Sequence, residues 1–207
     1  MIYAIVGAGG KTGLLKEMAA RFHREGKSVF VTTTTRMFIE EDTLLTDDAA
    51  VITDTLRKRG YAFAGVPEGA KIKALPAAAY AEVCAAADVV LVEADGSKHM
   101  PLKFPNTAEP VIPENADEII VVCGLHGLGK EARDVCHRLE LVKQHLGISD
   151  STRITPHHVY RLVMEGYVIP LRDKYPQKKI TVIARHDGSP YQCVVAAMLM
   201  AEQDPGV

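Results

Sequence analysis

One short stretch near the start of the chain, Gly7-Ala8-Gly9-Gly10-Lys11-Thr12, restricts the possible folds more than any other. It separates an apolar run, residues 2–6, from a segment whose apolar positions Leu14, Leu15, Met18, Ala19 and Phe22 share one helical face. An apolar run that stops at glycines predicts a buried strand, and the helical spacing after it predicts a helix that Gly26 ends. A glycine-rich turn between a strand and a helix N-terminus gathers backbone N–H groups in the way that binds phosphate. The spacing is G-x-x-G-K-T, shorter than the usual Walker A pattern, because only Ala8 and Gly9 stand between Gly7 and Gly10.

In such a loop Gly7, Ala8, Gly9 and Gly10 let the backbone approach a phosphate chain. Lys11 is expected to neutralise β/γ oxygens and the Thr12 hydroxyl to coordinate Mg²⁺. Gly13 removes a hydroxyl that many such loops place there, and either permits close approach to a ligand or is simply tolerated at a helix end.

The rest of the chain repeats the strand and helix theme. Further strands are predicted at residues 29–31, 88–93, 119–122 and 180–184, and helices at 47–59, 76–87 and 155–165. A helix is also expected through Val135, Leu139, Val142 and Leu146, ended by Gly147. The last helix starts at Ser189-Pro190 and should bury Val194, Val195, Met198 and Leu199. Alternation at residues 61–64 and 71–73 predicts a small hairpin at the sheet edge. Short buried strands between amphipathic helices argue for an α/β chain, a three-layer P-loop NTPase-like fold with a mostly parallel central sheet, in which ligands sit at the carboxyl ends of the strands. One domain over residues 1–207 is expected, with a proline-rich loop at 96–115 that holds Pro101, Pro105, Pro110 and Pro113.

Composition narrows the ligands. The formal charge is −2, so no global field draws nucleic acid or an anionic membrane, and a bound phosphate must be held locally. Four cysteines without a C-x-x-C pair suggest reduced thiols and a cytoplasmic protein, and Cys123 reads as a packed small hydrophobe. No basic segment precedes the first apolar run and no run is long enough to span a bilayer, so neither export nor an anchor is expected.

Glu93-Ala94-Asp95-Gly96 closes a predicted strand with carboxylates two residues apart, a Walker B-like position. Asp95 is expected to serve the metal and Glu93 to orient an attacking water, or the reverse, with Gly96 allowing a sharp turn. The hydroxyl run Thr32 to Thr35, Thr34 included, lies at another strand end and reads either as a switch-like loop or as ordinary strand and turn chemistry. Arg36 could stabilise transferring phosphoryl charge or be a solvated surface residue. Asp187 follows the last strand, where guanine-specific loops carry Asn-Lys-x-Asp, but only the aspartate fits. The eight histidines show no metal-ligand spacing, and on a helix His137 would neighbour Arg133 and Leu141.

Residues 7–12, Thr32-Thr-Thr-Thr-Arg-Met37, Glu93-Ala-Asp-Gly-Ser-Lys98, Pro101-Leu-Lys103 and Glu109-Pro-Val-Ile-Pro113 together resemble the accessory proteins of selenium-dependent molybdenum hydroxylases, the YqeC family. The resemblance runs in the same order over nearly the whole chain. It implies a P-loop nucleotide-binding protein, for ATP or GTP, that acts in maturation of a molybdenum hydroxylase, with that enzyme or its maturation machinery as partner. Three functions stay open. The first is a Mg²⁺-dependent NTPase driving cofactor insertion, with the proline-rich loop as effector surface. The second is a small-molecule kinase or nucleotide-dependent ligase, whose acceptor pocket would use Lys98, His99 and Lys103. The third is a non-hydrolysing nucleotide- or cofactor-binding module. The sequence sets no oligomeric state.

Overall fold

The structure is a computed structural model that describes residues 1–201. The chain is α/β and forms two compact units. One comprises Met1–Ile5, Thr12–Gly96 and Val111–Asp117, and the other Val6–Lys11, Ser97–Pro110 and the chain from Glu118 onward.

The first unit carries β1 (Ile2–Gly7, as far as Ile5), α1 (Lys11–Arg24, from Thr12), β2 (Val29–Thr33), β3 (Arg36–Phe38), β4 (Thr43–Leu45), α2 (Ala49–Arg59), β5 (Tyr61–Glu68), β6 (Lys71–Lys73), α3 (Ala77–Ala86) and β7 (Val89–Glu93). Strands β1, β7, β2 and β5 lie side by side and parallel, and β4 pairs parallel with β5. The predicted hairpin is β5 and β6, antiparallel through Val66↔Lys73. Its first strand is not at the edge, because Tyr61 to Phe63 pair with β2, and the edge belongs to β3 on the far side of β6.

All five residues of β2 and of β7 are buried, which suits a parallel strand covered on both faces and explains their unbroken apolar run. Phe30, Ala62, Ala64, Val90 and Val92 pack with Ile52 and Leu56 of α2 and Val83 of α3 into one core cluster. Each large side chain so buried contributes about 2 kcal/mol. Asp48 caps α2 by accepting from the Ala50 and Val51 N–H groups, and Gly60, at φ +67°, ends it in the left-handed conformation. Pro76 is the cap residue of α3 rather than part of its first turn.

The second unit carries β8 (Leu102–Lys103), β9 (Glu118–Gly124), α4 (Ala132–Val135), β10 (Cys136–His137), α5 (Leu139–Leu146), α6 (Pro156–Val163), α7 (Ile169–Lys174), β11 (Lys179–Arg185) and α8 (Pro190–Ala201). Strands β9 and β11 pair parallel in register from Lys179↔Glu118 to Arg185↔Gly124. Thr155 and His158 form a reciprocal capping box at the start of α6. A wide π-helical turn, Met164–Val168, joins α6 to α7, so the helical path outruns the expected end near Glu165. Pro170 accounts for the wide turn, since it has no N–H for the ladder and its ring crowds the turn before it.

Two expectations need correction here. The helix predicted through Val135 and Leu146 is two helices, α4 and α5, separated by β10, which pairs with β8 through Cys136↔Leu102 and His137↔Lys103. Arg138, at φ +59°, breaks the helical path, and His137 therefore lies on a strand rather than beside Arg133 and Leu141. In α8, Val195 and Leu199 are buried as expected, but Val194 and Met198 are 60% and 63% exposed. The helix is apolar on neighbouring stripes and only one of them faces the unit.

Candidate functional site

Within the second unit the glycine turn is held by its own backbone. The Ala8 N–H donates to the Val122 carbonyl at 2.8 Å. Gly7 has φ +87°, and a Cβ there would come 2.2 Å from the Val122 oxygen. Gly9 has φ +80°, and its Cβ would meet the Pro101 oxygen and the Gly124 N and Cα at 2.5 Å each. Glycine is thus required at both positions by the packing of the chain against itself, before any ligand is considered. Gly10 is exposed, and a Cβ on it would meet the Arg185 side chain at 3.1 Å.

Lys11 is buried, and its ammonium donates to the Gly7 carbonyl at 2.7 Å and to Ser97 Oγ at 3.1 Å. The lysine therefore folds back over the loop it belongs to, and it also holds the first residue of the segment 97–110. Cys123, near the end of β9, is buried and its thiol is pushed up to about 12 by that burial, so it acts as packing and not as a thiolate.

Within the first unit, Glu93 and Asp95 are both buried at the carboxyl end of β7. Glu93 lies in register with Ile5 on one side and Thr33 on the other. Its carbonyl accepts from the Thr33 hydroxyl at 2.8 Å and from the Thr34 N–H at 3.0 Å. Thr32 donates to the Ala64 carbonyl at 2.9 Å, and Thr34 to the Val111 carbonyl at 2.7 Å. The threonine run thus ties strand ends and the Val111 segment together. Arg36 is on β3, solvent-exposed, and its guanidinium pairs with Glu68.

Thr12 is exposed in the first turn of α1, and Gly13 follows it there. Thr12, Glu93 and Asp95 all belong to the first unit. They offer one hydroxyl and two carboxylates, hard oxygen donors of the kind a Mg²⁺ that keeps several waters takes from a protein. Among the described residues no group of three or more His, Cys, Asp and Glu is placed to hold a metal ion. Asp187, in the second unit, is occupied in the turn before α8. It accepts from the Ser189 N–H at 2.9 Å, and these hydrogen bonds hold its carboxyl below the usual range.

The sharp turn expected at Gly96 is made two residues later. Gly96 has no positive φ and open space around its α-carbon, whereas Lys98 and His99 adopt φ +49° and +63°. These two and Arg138 are the non-glycine residues in the left-handed region among the described residues, at a cost of about 1 kcal/mol or more each.

Sequence reasoning also missed a charged cluster in the second unit. The Lys103 ammonium, on β8, lies 2.7 Å from Glu109 Oε2, and Arg138 forks onto both oxygens of the same carboxylate at 2.7 and 3.1 Å. The Lys103 side chain is fully buried and that of Glu109 is 17% exposed. Burial alone would raise the Glu109 carboxyl, but the hydrogen bonds from Arg138 and Lys103 outweigh it and hold the group below its ordinary value. The quoted Pro101-Leu-Lys103 and Glu109-Pro motifs contained two of the three residues. Nothing local marked Arg138.

No helix among the described residues is long and apolar enough to cross a membrane. No solved structure matches the chain. The chain is 34% identical over 167 residues to the "Uncharacterized protein YqeC" of Escherichia coli (strain K12), over 75% of this chain and 62% of that protein. It thus spans about 62% of the length of the curated relative it matches. A model of the family described as YqeC protein matches residues 3–140, which include the glycine turn, the threonine run, the β7 carboxylates and the charged cluster. On that match the chain belongs to the YqeC protein family.

Proposed function

We propose that this chain is a single P-loop NTPase-like domain that binds ATP or GTP with Mg²⁺ and hydrolyses it during cofactor insertion into selenium-dependent molybdenum hydroxylases, in the cytoplasm. The observation that carries the reading is the buried Lys11 ammonium, held over a glycine turn that opens a helix of 14 residues.

In this reading the N–H groups of residues 7–12 and the α1 N-terminus receive the phosphate chain. Lys11 exchanges its contacts with Gly7 and Ser97 for β/γ oxygens. Thr12 and Asp95 hold the cation, which when bound neutralises phosphate charge. Glu93 orients the attacking water from its buried place on β7. Arg36 and Thr34 need no part in the chemistry, since Glu68 and the Val111 carbonyl already engage them. Asp187 likewise serves the turn before α8, so base choice is left to other groups. The link to molybdenum hydroxylases rests on the family alone.

Group transfer to an acceptor is the second reading, with Lys98, His99 and Lys103 as its acceptor pocket, and the left-handed backbone of Lys98 and His99 on the segment that carries Lys103 favours it. The test is product analysis after incubation of the chain with ATP or GTP and Mg²⁺. Phosphate released to water at a rate abolished by Lys11→Ala supports hydrolysis, and a phosphorylated or ligated product formed only with an added acceptor supports transfer. Turnover that survives Lys11→Ala would sink both.

A further inference from the structure

The first unit holds a cavity of about 490 Å³ at the end of its sheet away from Glu93 and Asp95. Asp88 lines it just before β7 begins, and Glu93 ends that strand about 17 Å further along. The volume suits a small organic ligand. The last turns of α1 and α2 meet here, because each helix leads into one of the neighbouring parallel strands β2 and β5. His23 of α1 places its Nδ1 3.3 Å from the Gly60 carbonyl oxygen, and a Cβ at Gly60 would come 2.8 Å from the ring.

Both helix ends are basic, as the carbonyl ends of helices favour. The dipole does not explain how these cations are partnered. Arg21 and Lys58, which do not line the cavity, each pair with a carboxylate one turn away, Glu25 and Asp54. Lys27 and Arg57 do line it, and among the described residues neither side chain makes a hydrogen bond or an ion pair. One turn before Arg57, at the place that Asp54 takes for Lys58, stands Thr53. Thr53 also lines the cavity, and its buried hydroxyl has no hydrogen-bond partner among the described residues, a costly omission unless something else supplies one. The carboxylate on the lining is Asp88. Its Oδ2 accepts from the Ser28 N–H and hydroxyl at 2.8 and 2.9 Å, and Lys27 supports its charge from a longer distance. Arg57 and Thr53 are left without a counterpart on this wall.

We propose that this cavity binds a small organic anion through a carboxylate or phosphate group, with Arg57 and Lys27 receiving the oxygens, Thr53 offering its hydroxyl, and the apolar walls at Leu56 and Ala86 taking the rest of the molecule. The site is separate from the glycine turn, and it does not rest on the nucleotide reading.

The experiment follows the histidine ring signals of the full chain by NMR while inorganic phosphate or malonate, at a pH where both are dianions, replaces chloride at constant ionic strength. His23 is the reporter, assigned by loss of its signal in His23→Gln. The expected result is saturable movement of that signal with at least one of the two, unchanged in Lys11→Ala. Arg57→Ala should weaken the apparent affinity about fivefold or more and Thr53→Val about threefold. Lys58→Ala should leave it within about twofold. Arg57 and Lys58 are both exposed, so neither loss threatens the fold. The dianion that binds more tightly names the head group of the ligand.

Movement that saturates with neither dianion overturns the proposal. So does an Arg57→Ala effect no larger than that of Lys58→Ala, which would assign the response to a diffuse basic surface. Loss of the response in Lys11→Ala would place the anion at the glycine turn and overturn it as well.

Discussion

At the carboxyl end of β7 the polar groups are arranged by backbone. Glu93 and Asp95 are buried where a strand places them, and the Thr32, Thr33 and Thr34 hydroxyls each donate to a carbonyl. Around Glu109 the arrangement is made by side chains instead, from positions far apart in the chain. The first region is set by the hydrogen-bond ladder. The second is set by ion pairs, so removing Glu109 takes a partner from the buried Lys103 and from Arg138 together. The two regions should therefore differ in how they respond to substitution and to pH.

The largest effect is expected at the glycine turn, where backbone alone decides. Gly9→Ala forces a Cβ to within 2.5 Å of three backbone atoms at φ +80°. Urea unfolding should show a loss of about 4 kcal/mol or more, or no folded protein. A loss under about 1 kcal/mol would mean the turn is pliable and that its glycines serve the ligand alone.

Next comes the ion cluster. Glu109→Ala takes a carboxylate partner from both the buried Lys103 and the half-buried Arg138, and should cost about 3 kcal/mol in the same measurement. An unchanged midpoint would show that the cations find other partners.

The pH dependence is smaller and has a definite sign. Glu109 is held below its ordinary 4.5, so its contribution is present above that value and lost as pH falls through the folded one. His137 is held below 6.5, so protons favour the unfolded chain as pH drops beneath that value. Wild-type stability should thus decline in two stages on acidification, the first shared with His126 and His158, which burial also lowers. Glu109→Gln should flatten the lower stage, and a lower stage of undiminished slope would remove Glu109 from the explanation.

The smallest effect separates two kinds of turn. Gly96→Ala has open space and no positive φ, so it should change stability by no more than about 0.5 kcal/mol. A loss above about 1 kcal/mol would place the turn back at Gly96.

These contrasts also explain what could be read from the residues beforehand. Strands β1, β2, β7, β9 and β11, α1 with its buried face, the Thr155 cap and the carboxylates at the end of β7 were legible because each depends on neighbours within a few positions. The break between α4 and α5 was not. The spacing of Val135, Leu139, Val142 and Leu146 satisfies a helix, and only the pairing of β10 with a strand more than 30 residues earlier disrupts it. Arg138 was missed with it, since its role depends on a carboxylate on another segment. The glycine motif was found, but Gly7 and Gly9 also answer to β9 and Pro101, which no local pattern reveals. Gly96 is a glycine after a strand, while two non-glycine residues, Lys98 and His99, make the turn.

Calorimetric titration with ATP and with GTP, with and without Mg²⁺, on wild type, Lys11→Ala and Asp95→Asn tests the nucleotide assignment most directly. Binding of one nucleotide that requires Mg²⁺, is abolished by Lys11→Ala and loses its Mg²⁺ dependence in Asp95→Asn is the expected result. Binding of equal affinity in wild type and Lys11→Ala, or none by folded wild-type protein, would contradict it.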